Sequence, residues 1–190
     1  MRKIISADRI PGMMPAPQLD YLAEQASLHQ RVIEVGCWRG RSTRALCDNC
    51  PGTVTAVDTW LGSPGLEDEI LFMEEISQDP DWLYHEFQHN LAGVTNLEIV
   101  RKSSLVAANF FAMEKKRTFD FIFIDGLHDY ENVKRDISAW LALLETGGVM
   151  AGHDFGFPEV KKAVLDVFPE FPVDGIADIW VIDKQARSTK

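Results

Sequence analysis

Residues 31–43 read RVIEVGCWRGRST. The run Val32, Ile33, Val35 has the β-branched content of a short buried strand, and Gly36 ends it. Gly40 and Ser42 then open a helix that GRSTRALCDNC carries to the Pro51-Gly52 break. TVTAVD (53–58) follows as a second strand, so the opening unit is βαβ. Outward from it, PQLDYLAEQASLH (17–29) predicts a leading helix, with Pro17 in its first turn. Leu19, Leu22, Ala23 and Ala26 share its apolar face, with Leu28 at the margin. LEIV (97–100) is a third strand, 104–116 a helix, and FDFIFID (119–125) a strand apolar on both faces, hence a central parallel one. ENVKRDISAWLALLE is an amphipathic helix with Val133, Ile137, Trp140, Leu141 and Leu144 inward, stopped by Gly147-Gly148. GVMAGHD is a fifth strand, 158–168 a further helix and IWVID a last strand. Strands alternating with helices, with no internal repeat, predict one α/β domain over 1–190 with a doubly wound, Rossmann-like, mostly parallel sheet.

Composition narrows the class. A chain of 190 residues suits one domain, and 46% hydrophobic with 25% charged residues is a globular balance. No apolar run reaches the roughly 18 residues of a membrane helix, and the N-terminal stretch lacks a signal-length apolar core. The net charge of -10 opposes binding to nucleic acid or to an anionic membrane. Three cysteines, with Cys47 and Cys50 in a C-x-x-C that has no second pair, point to small packing residues in a reducing cytoplasm. The apolar segment Ile10 to Met14 is a candidate contact with a second copy in a homo-oligomer.

Doubly wound sheets bind ligands beyond the carboxyl ends of their strands. Those ends carry Glu34 and Gly36, Asp58, Ser103 and Ser104, Asp125 through His128, and His153-Asp154. The first turn is spaced G-x-x-x-G, and Trp38 stands where a dinucleotide-binding turn needs a glycine against the pyrophosphate. A nucleoside with an amino-acid tail fits better. Glu34 answers its ammonium, Gly36 permits close approach, Ser42 and helix-start amides meet its carboxylate, and Asp58 meets the ribose hydroxyls.

These stretches resemble a known family. VIEVGCWRGRST is similar to motif I of class I S-adenosylmethionine-dependent methyltransferases. FDFIFIDGLHDYENVKRDISAWLALLETGGVMAGHDF resembles the second half of the small O-methyltransferase-like group with D-G-x-H and G-H-D motifs. The resemblance spans about residues 30–168 and implies a seven-stranded sheet, its last two strands after Phe168. It implies S-adenosyl-L-methionine as cofactor, with Glu34, Gly36 and Ser42 at its methionine end, Asp58 at its ribose and Ser103 or Ser104 at its adenine edge. Cys37, Trp38, Gly40, Thr59 and Asp125 complete the expected cofactor pocket. It further implies a divalent cation, magnesium or manganese, on Asp125, His153 and Asp154, the imidazole shifting preference away from magnesium. Asp125 and His128 are the catalytic candidates, with His128 as general base toward a small-molecule or sugar hydroxyl. The competing classes are a nicotinamide-dependent oxidoreductase and a binding protein that keeps the scaffold without turnover.

One motif points elsewhere. HEFQH (85–89) matches the H-E-x-x-H zinc-peptidase pattern. The extended pattern fails, since Ala92 and Thr95 occupy the positions of its glycine and third histidine. The five residues are better read as part of a helix near 80–92 within an insertion, 59–93, that covers the active site, with Phe87 and Leu91 inward.

Overall fold

The computed structural model describes residues 3–62, 79–115, 117–169 and 178–183. The chain begins with α1 (Ile5–Asp8) and α2 (Ala16–Leu28), then β1 (Arg31–Val35), α3 (Arg41–Asn49) and β2 (Thr53–Asp58). It continues with α4 (Trp82–Asn90), β3 (Leu97–Arg101), α5 (Ser104–Asn109) and β4 (Phe119–Ile124). The last elements are α6 (Tyr130–Leu141), β5 (Leu144–Gly152), α7 (Pro158–Val167) and β6 (Trp180–Asp183). The strands form one sheet in the order β3-β2-β1-β4-β5-β6, parallel except for β6, which runs antiparallel to β5. The order reverses between β1 and β4, which makes their carboxyl ends the switch point of a doubly wound fold.

Alternation along the strands builds the two faces of the core. Ile33, Val35, Val57, Ile122 and Ile124 face one way and pack with Phe111, Ile137, Trp140 and Val164. Val32, Val54, Phe121 and Phe123 face the other way, against Leu19, Leu22 and Leu46 of α2 and α3. Both faces of β4 are therefore buried, as its unbroken apolar sequence requires.

The described residues hold six strands where the resemblance implies seven; after Phe168 they include only β6. The helix over 104–116 is α-helical only to Asn109. Phe110–Lys115 widen into a π-helical turn that seats Phe111 edge-on to Phe119. Gly147-Gly148 do not stop α6. It ends at Leu141, and both glycines lie inside β5, whose early residues are drawn to the sheet by the Leu143 carbonyl accepting Phe119 N and by Glu145 pairing with Arg31. Leu28 is 70% exposed, one step off the buried stripe of α2. Ile10 and Met14 are buried against the chain's own core, leaving Met13 exposed. Arg41 holds that segment: Nε donates to the Met14 carbonyl at 2.8 Å and Nη1 to the Ile10 and Asp8 carbonyls at 2.6 and 2.9 Å.

Gly36 fixes the spacing of the switch point. Its φ is +86°, and a Cβ there would lie 2.0 Å from the Asp125 carbonyl oxygen. Gly36→Ala should therefore lose roughly 3 kcal/mol or more, from left-handed strain together with overpacking, read from urea unfolding.

A second constraint lies beneath the β3–α5 turn. Ser104 Oγ donates to Asp136 at 2.5 Å and accepts Trp140 Nε1 at 2.9 Å. Burial pushes the Asp136 carboxyl up to about 6. The folded chain holds this proton more tightly than the unfolded chain, so the contribution is complete below about 3.9 and is lost as pH rises through 6. Asp136→Asn should gain stability relative to the parent between pH 4 and pH 8, measured as urea midpoints at both ends.

Candidate functional site

The carboxyl edge is aligned by backbone hydrogen bonds that run one residue past the strands. Gly36 N donates to Val57 O at 2.9 Å, Asp125 N to Val35 O at 2.7 Å, and His153 N to Ile124 O at 3.0 Å. The first residues beyond β1, β4 and β5 are thus held in register, and the polar groups that follow them converge.

On the β1 and β2 side, strand alternation turns Glu34 to the face that packs on α3, where it is fully buried. The Thr43 hydroxyl donates to Glu34 Oε2, and Ser42 and Cys37 also favour the ionised carboxylate. Oε1 is buried with no hydrogen-bond partner among the described residues. Burial dominates and pushes the carboxyl up to about 7. Glu34 is thus a buried acid with one oxygen hydrogen-bonded and the other not, among the described residues. Asp58 joins the two turns: Oδ2 accepts Cys37 N at 2.7 Å and Trp38 N at 3.0 Å, while Oδ1 accepts Trp60 N at 2.7 Å. A carboxylate has about four acceptor positions, so Asp58 keeps room for about one further donor.

Trp38 and Trp60 both have left-handed φ, 44° and 53°, and Trp60 Nε1 donates to Trp38 O at 3.0 Å. Trp60 is fully buried against Phe87, so its role is packing. Gly40, also left-handed, precedes α3 and lies under Leu91 and Phe87. Thr59 Oγ1 accepts Leu61 N, and its carbonyl accepts Arg101 Nε. At the end of β3, Ser103 is exposed, while the Ser104 hydroxyl is hydrogen-bonded to Asp136 and Trp140.

On the β4 and β5 side a charged cluster forms. His128 Nε2 donates to Asp154 Oδ2 at 2.8 Å, and His153 Nδ1 lies 3.2 Å from Asp154 Oδ1 and 3.6 Å from Asp125 Oδ1. The ring of Phe157 stacks on His128 at 5.6 Å. Donor atoms of Asp125, His128 and Asp154 all fall within 4.8 Å of one another, as do those of His153, Asp154 and Asp178. His128 therefore joins Asp125 and Asp154 in one compact trio, and His153 joins Asp154 and Asp178 in the other. Burial pushes Asp125 up to about 6, against the pull of His153. Burial also works against charge on His153 and Asp154. The hydrogen bond between them and the other acids nevertheless carry His153 up to about 9, while both histidines hold Asp154 well below the usual carboxylate range. His128 is raised, first by its bond to Asp154. Asp154 itself adopts φ 59°, a strained backbone of the kind that persists where surrounding contacts over-determine it.

Three contributors escaped the sequence. Thr43, next to the expected Ser42, makes the bond to Glu34. Asp178 comes from the segment before β6, which carries no motif. Gln18, in the first turn of α2, is 4% exposed, and its Oε1 lies 2.9 Å from His153 Nε2. Only Gln18 had a signal, a polar residue four before the apolar Leu22 on a helix face that packs inward.

The H-E-x-x-H segment forms α4 with Phe87 and Leu91 buried as expected, packing on Trp60 and Cys37 beside the first turn. His85 and His89 are exposed, and neither belongs to a three-residue metal group among the described residues. His85 faces Asp79 at 3.4 Å. The central part of the expected cover, residues 63–78, lies outside the described residues. Cys47 and Cys50 are buried free thiols, as packing residues should be.

Solved structures share this architecture. Cofactor-bound Rv0187 from MTB aligns with TM-score 0.66 at 20% identity, over 95% of this chain and 86% of that one. An O-methyltransferase from Bacillus cereus in complex with SAH aligns with TM-score 0.62 at 18% identity, over 88% and 76%. CalS11, a TDP-rhamnose 3'-O-methyltransferase of calicheamicin biosynthesis, aligns with TM-score 0.57 at 16% identity, over 87% and 76%. At these identities the likeness is one of fold. A family model described as a methyltransferase domain matches residues 33–155, from the middle of β1 to just past the His153-Asp154 cluster. The chain belongs to the methyltransferase domain family.

Proposed function

We propose that the protein is an S-adenosylmethionine-dependent O-methyltransferase acting on a hydroxyl of a small molecule or sugar, with a divalent cation assisting. The observation that carries this reading is the backbone register at the carboxyl edge. It holds the carboxyl groups of Glu34 and Asp58, on β1 and β2, beside an acid and imidazole cluster at β4 and β5. The unpaired Oε1 of Glu34 suits the cofactor's ammonium, and the free acceptor position of Asp58 suits a ribose hydroxyl. Three free cysteines support a reducing compartment, the cytoplasm.

The donor set fits a divalent cation: His153 Nδ1 lies 3.6 Å from an Asp125 carboxylate oxygen and 3.2 Å from an Asp154 one, and all three residues are partly buried. Three acids, Asp125, Asp154 and Asp178, meet two histidines, so the cluster stays negative even with both rings charged. Asp125 and Asp154, with His153, would hold the ion, and manganese suits the mixed oxygen and nitrogen set better than magnesium. When bound, such an ion lowers the pKa of a coordinated acceptor hydroxyl.

The chain's own residues supply alignment and proton transfer. Methyl transfer is an in-line displacement, so its rate depends on holding acceptor and methyl donor at fixed separation. His128 donates Nε2–H to Asp154, which orients the ring and leaves Nδ1 without a hydrogen bond among the described residues. Neutral His128 can therefore take the acceptor's proton at Nδ1, with Asp154 stabilising the imidazolium that forms. Phe157, stacked on the ring, keeps one of its faces dry.

S-adenosylhomocysteine should raise the melting temperature of the protein while NAD leaves it unchanged; stabilisation by NAD alone would refute the proposal. Because Glu34 is protonated below about 7 in the free protein and must ionise to pair with an ammonium, S-adenosylhomocysteine affinity should strengthen as pH rises from 5.5 to 8. The dependence should approach tenfold per pH unit well below 7 and disappear in Glu34→Gln, as measured by calorimetry.

Once an acceptor is in hand, kcat should rise with pH along an acid limb that lies above the ordinary histidine value of about 6.5, since Asp154 raises His128. His128→Ala should lower kcat by about 100-fold or more and remove that limb. An unchanged profile in the variant would exclude His128 as the base.

A further inference from the structure

Gln18 lies outside the methyltransferase motifs and outside the matched residues 33–155, yet it reaches the charged cluster. The geometry follows from chain direction. α2 leads into β1 and runs back along the sheet, so its first turn stands at the carboxyl edge of the strands. Position 18 precedes Leu22 by one helical turn and falls on the buried stripe with Leu19, Leu22 and Ala26. A 4% exposed amide on that stripe is a costly choice unless its polar atoms are matched.

Its Oε1 is matched by His153 Nε2 at 2.9 Å. An amide oxygen is only an acceptor, so the nitrogen facing it must carry hydrogen. The opposite nitrogen, Nδ1, is then the one presented to Asp154 at 3.2 Å and Asp125 at 3.6 Å. Without such an acceptor the ring could turn over and present either nitrogen to the acids.

We propose that Gln18 is a positioning residue: its side-chain carbonyl anchors the Nε2–H of His153 and thereby fixes Nδ1 as the nitrogen facing Asp125 and Asp154. The consequence for a cation at that cluster rests on the metal-assisted reading above. A partner on the outer nitrogen of a ligating histidine sets the ring's orientation and basicity, and losing it weakens metal affinity roughly 10–100-fold. In this way the leading helix, which carries none of the family's motifs, is tied directly to the end of β5.

The test uses the full-length protein labelled with 15N-histidine. The parent should show a slowly exchanging imidazole N–H resonance on His153 Nε2, identified by its absence from His153→Asn. Gln18→Met, similar in volume but without an acceptor, should lose that resonance to solvent exchange. Gln18→Glu, which keeps an acceptor oxygen, should restore it. A buried residue with a purely structural part would shift melting temperature in both variants without this pattern. Manganese binding, followed by electron paramagnetic resonance, should weaken roughly 10–100-fold in Gln18→Met and recover in Gln18→Glu, with S-adenosylhomocysteine affinity unchanged in both. A proton on Nδ1 alone in the parent, or a resonance that survives unchanged in Gln18→Met, would overturn the assignment to Gln18. If the parent binds no manganese, the metal-assisted part of the proposed function fails, and the resonance still decides the role of Gln18.

Discussion

Gly36 packs directly against the Asp125 carbonyl, and the site's geometry depends on that approach. A Cβ at position 36 would sit 2.0 Å from that oxygen, so β1 and β4 can part at this point only around a glycine. With the turn this close, Asp125 N reaches Val35 O, and the same ladder brings His153 N to Ile124 O. Small displacements here would separate the Glu34 and Asp58 side of the edge from the histidine and aspartate side. In an in-line displacement a misplacement of about 1 Å can cost a hundredfold in rate. A rigid backbone junction is thus a better foundation for this chemistry than a loop would be.

Electrostatics then divides the edge into two kinds of acid. Glu34 is buried among neutral donors, so its proton is retained to about 7, and its charge is developed most readily when a cationic group arrives. Asp154 lies between two imidazoles and is ionised throughout the physiological range, because His128 and His153 outweigh its burial. Asp125 stands between these cases, pushed to about 6 by burial and held back by His153. Acids whose ordinary pKa values lie close together are separated by their surroundings into a readily protonated group and a permanent anion, a divergence that is common where a site must work at neutral pH.

Much of this was legible in the sequence because it depends on period and punctuation. The apolar runs of β1, β2 and β4 and the glycines at 36 and 40 are local properties, and the doubly wound, mostly parallel class follows from alternating strands and helices. The polar residues at the strand ends could be placed on one edge for the same reason. What escaped was set by long-range packing. Nothing local says that the Ser104 hydroxyl will be occupied by Asp136 and Trp140, some thirty residues later in the chain. Nor does spacing reveal that His128 reaches Asp154, since that needs the turn after β4 to fold over the turn after β5. Gly147-Gly148 misled for the opposite reason: a strong local stop signal was overridden by pairing of Leu144 and Glu145 with the sheet and Arg31.

HEFQH shows why a motif needs its frame. Helical spacing does put His85 and His89 on one face, as a zinc site requires, but that face looks to solvent. The other face carries Leu83 and Phe87, which with Leu91 press on Trp60 and on the glycine turn of β1. The two histidines are placed by what their neighbours bury, and the buried residues decide the helix's orientation because their transfer from water, roughly 1.5–3 kcal/mol each, outweighs anything an exposed imidazole contributes. The same logic makes Gln18 informative. It is a polar side chain that packing carries inward, where its presence must be matched by a partner, and the partner is His153. Histidines held outward by their helix and a glutamine held inward by its own are opposite outcomes of one rule, and only the second reaches the chemistry.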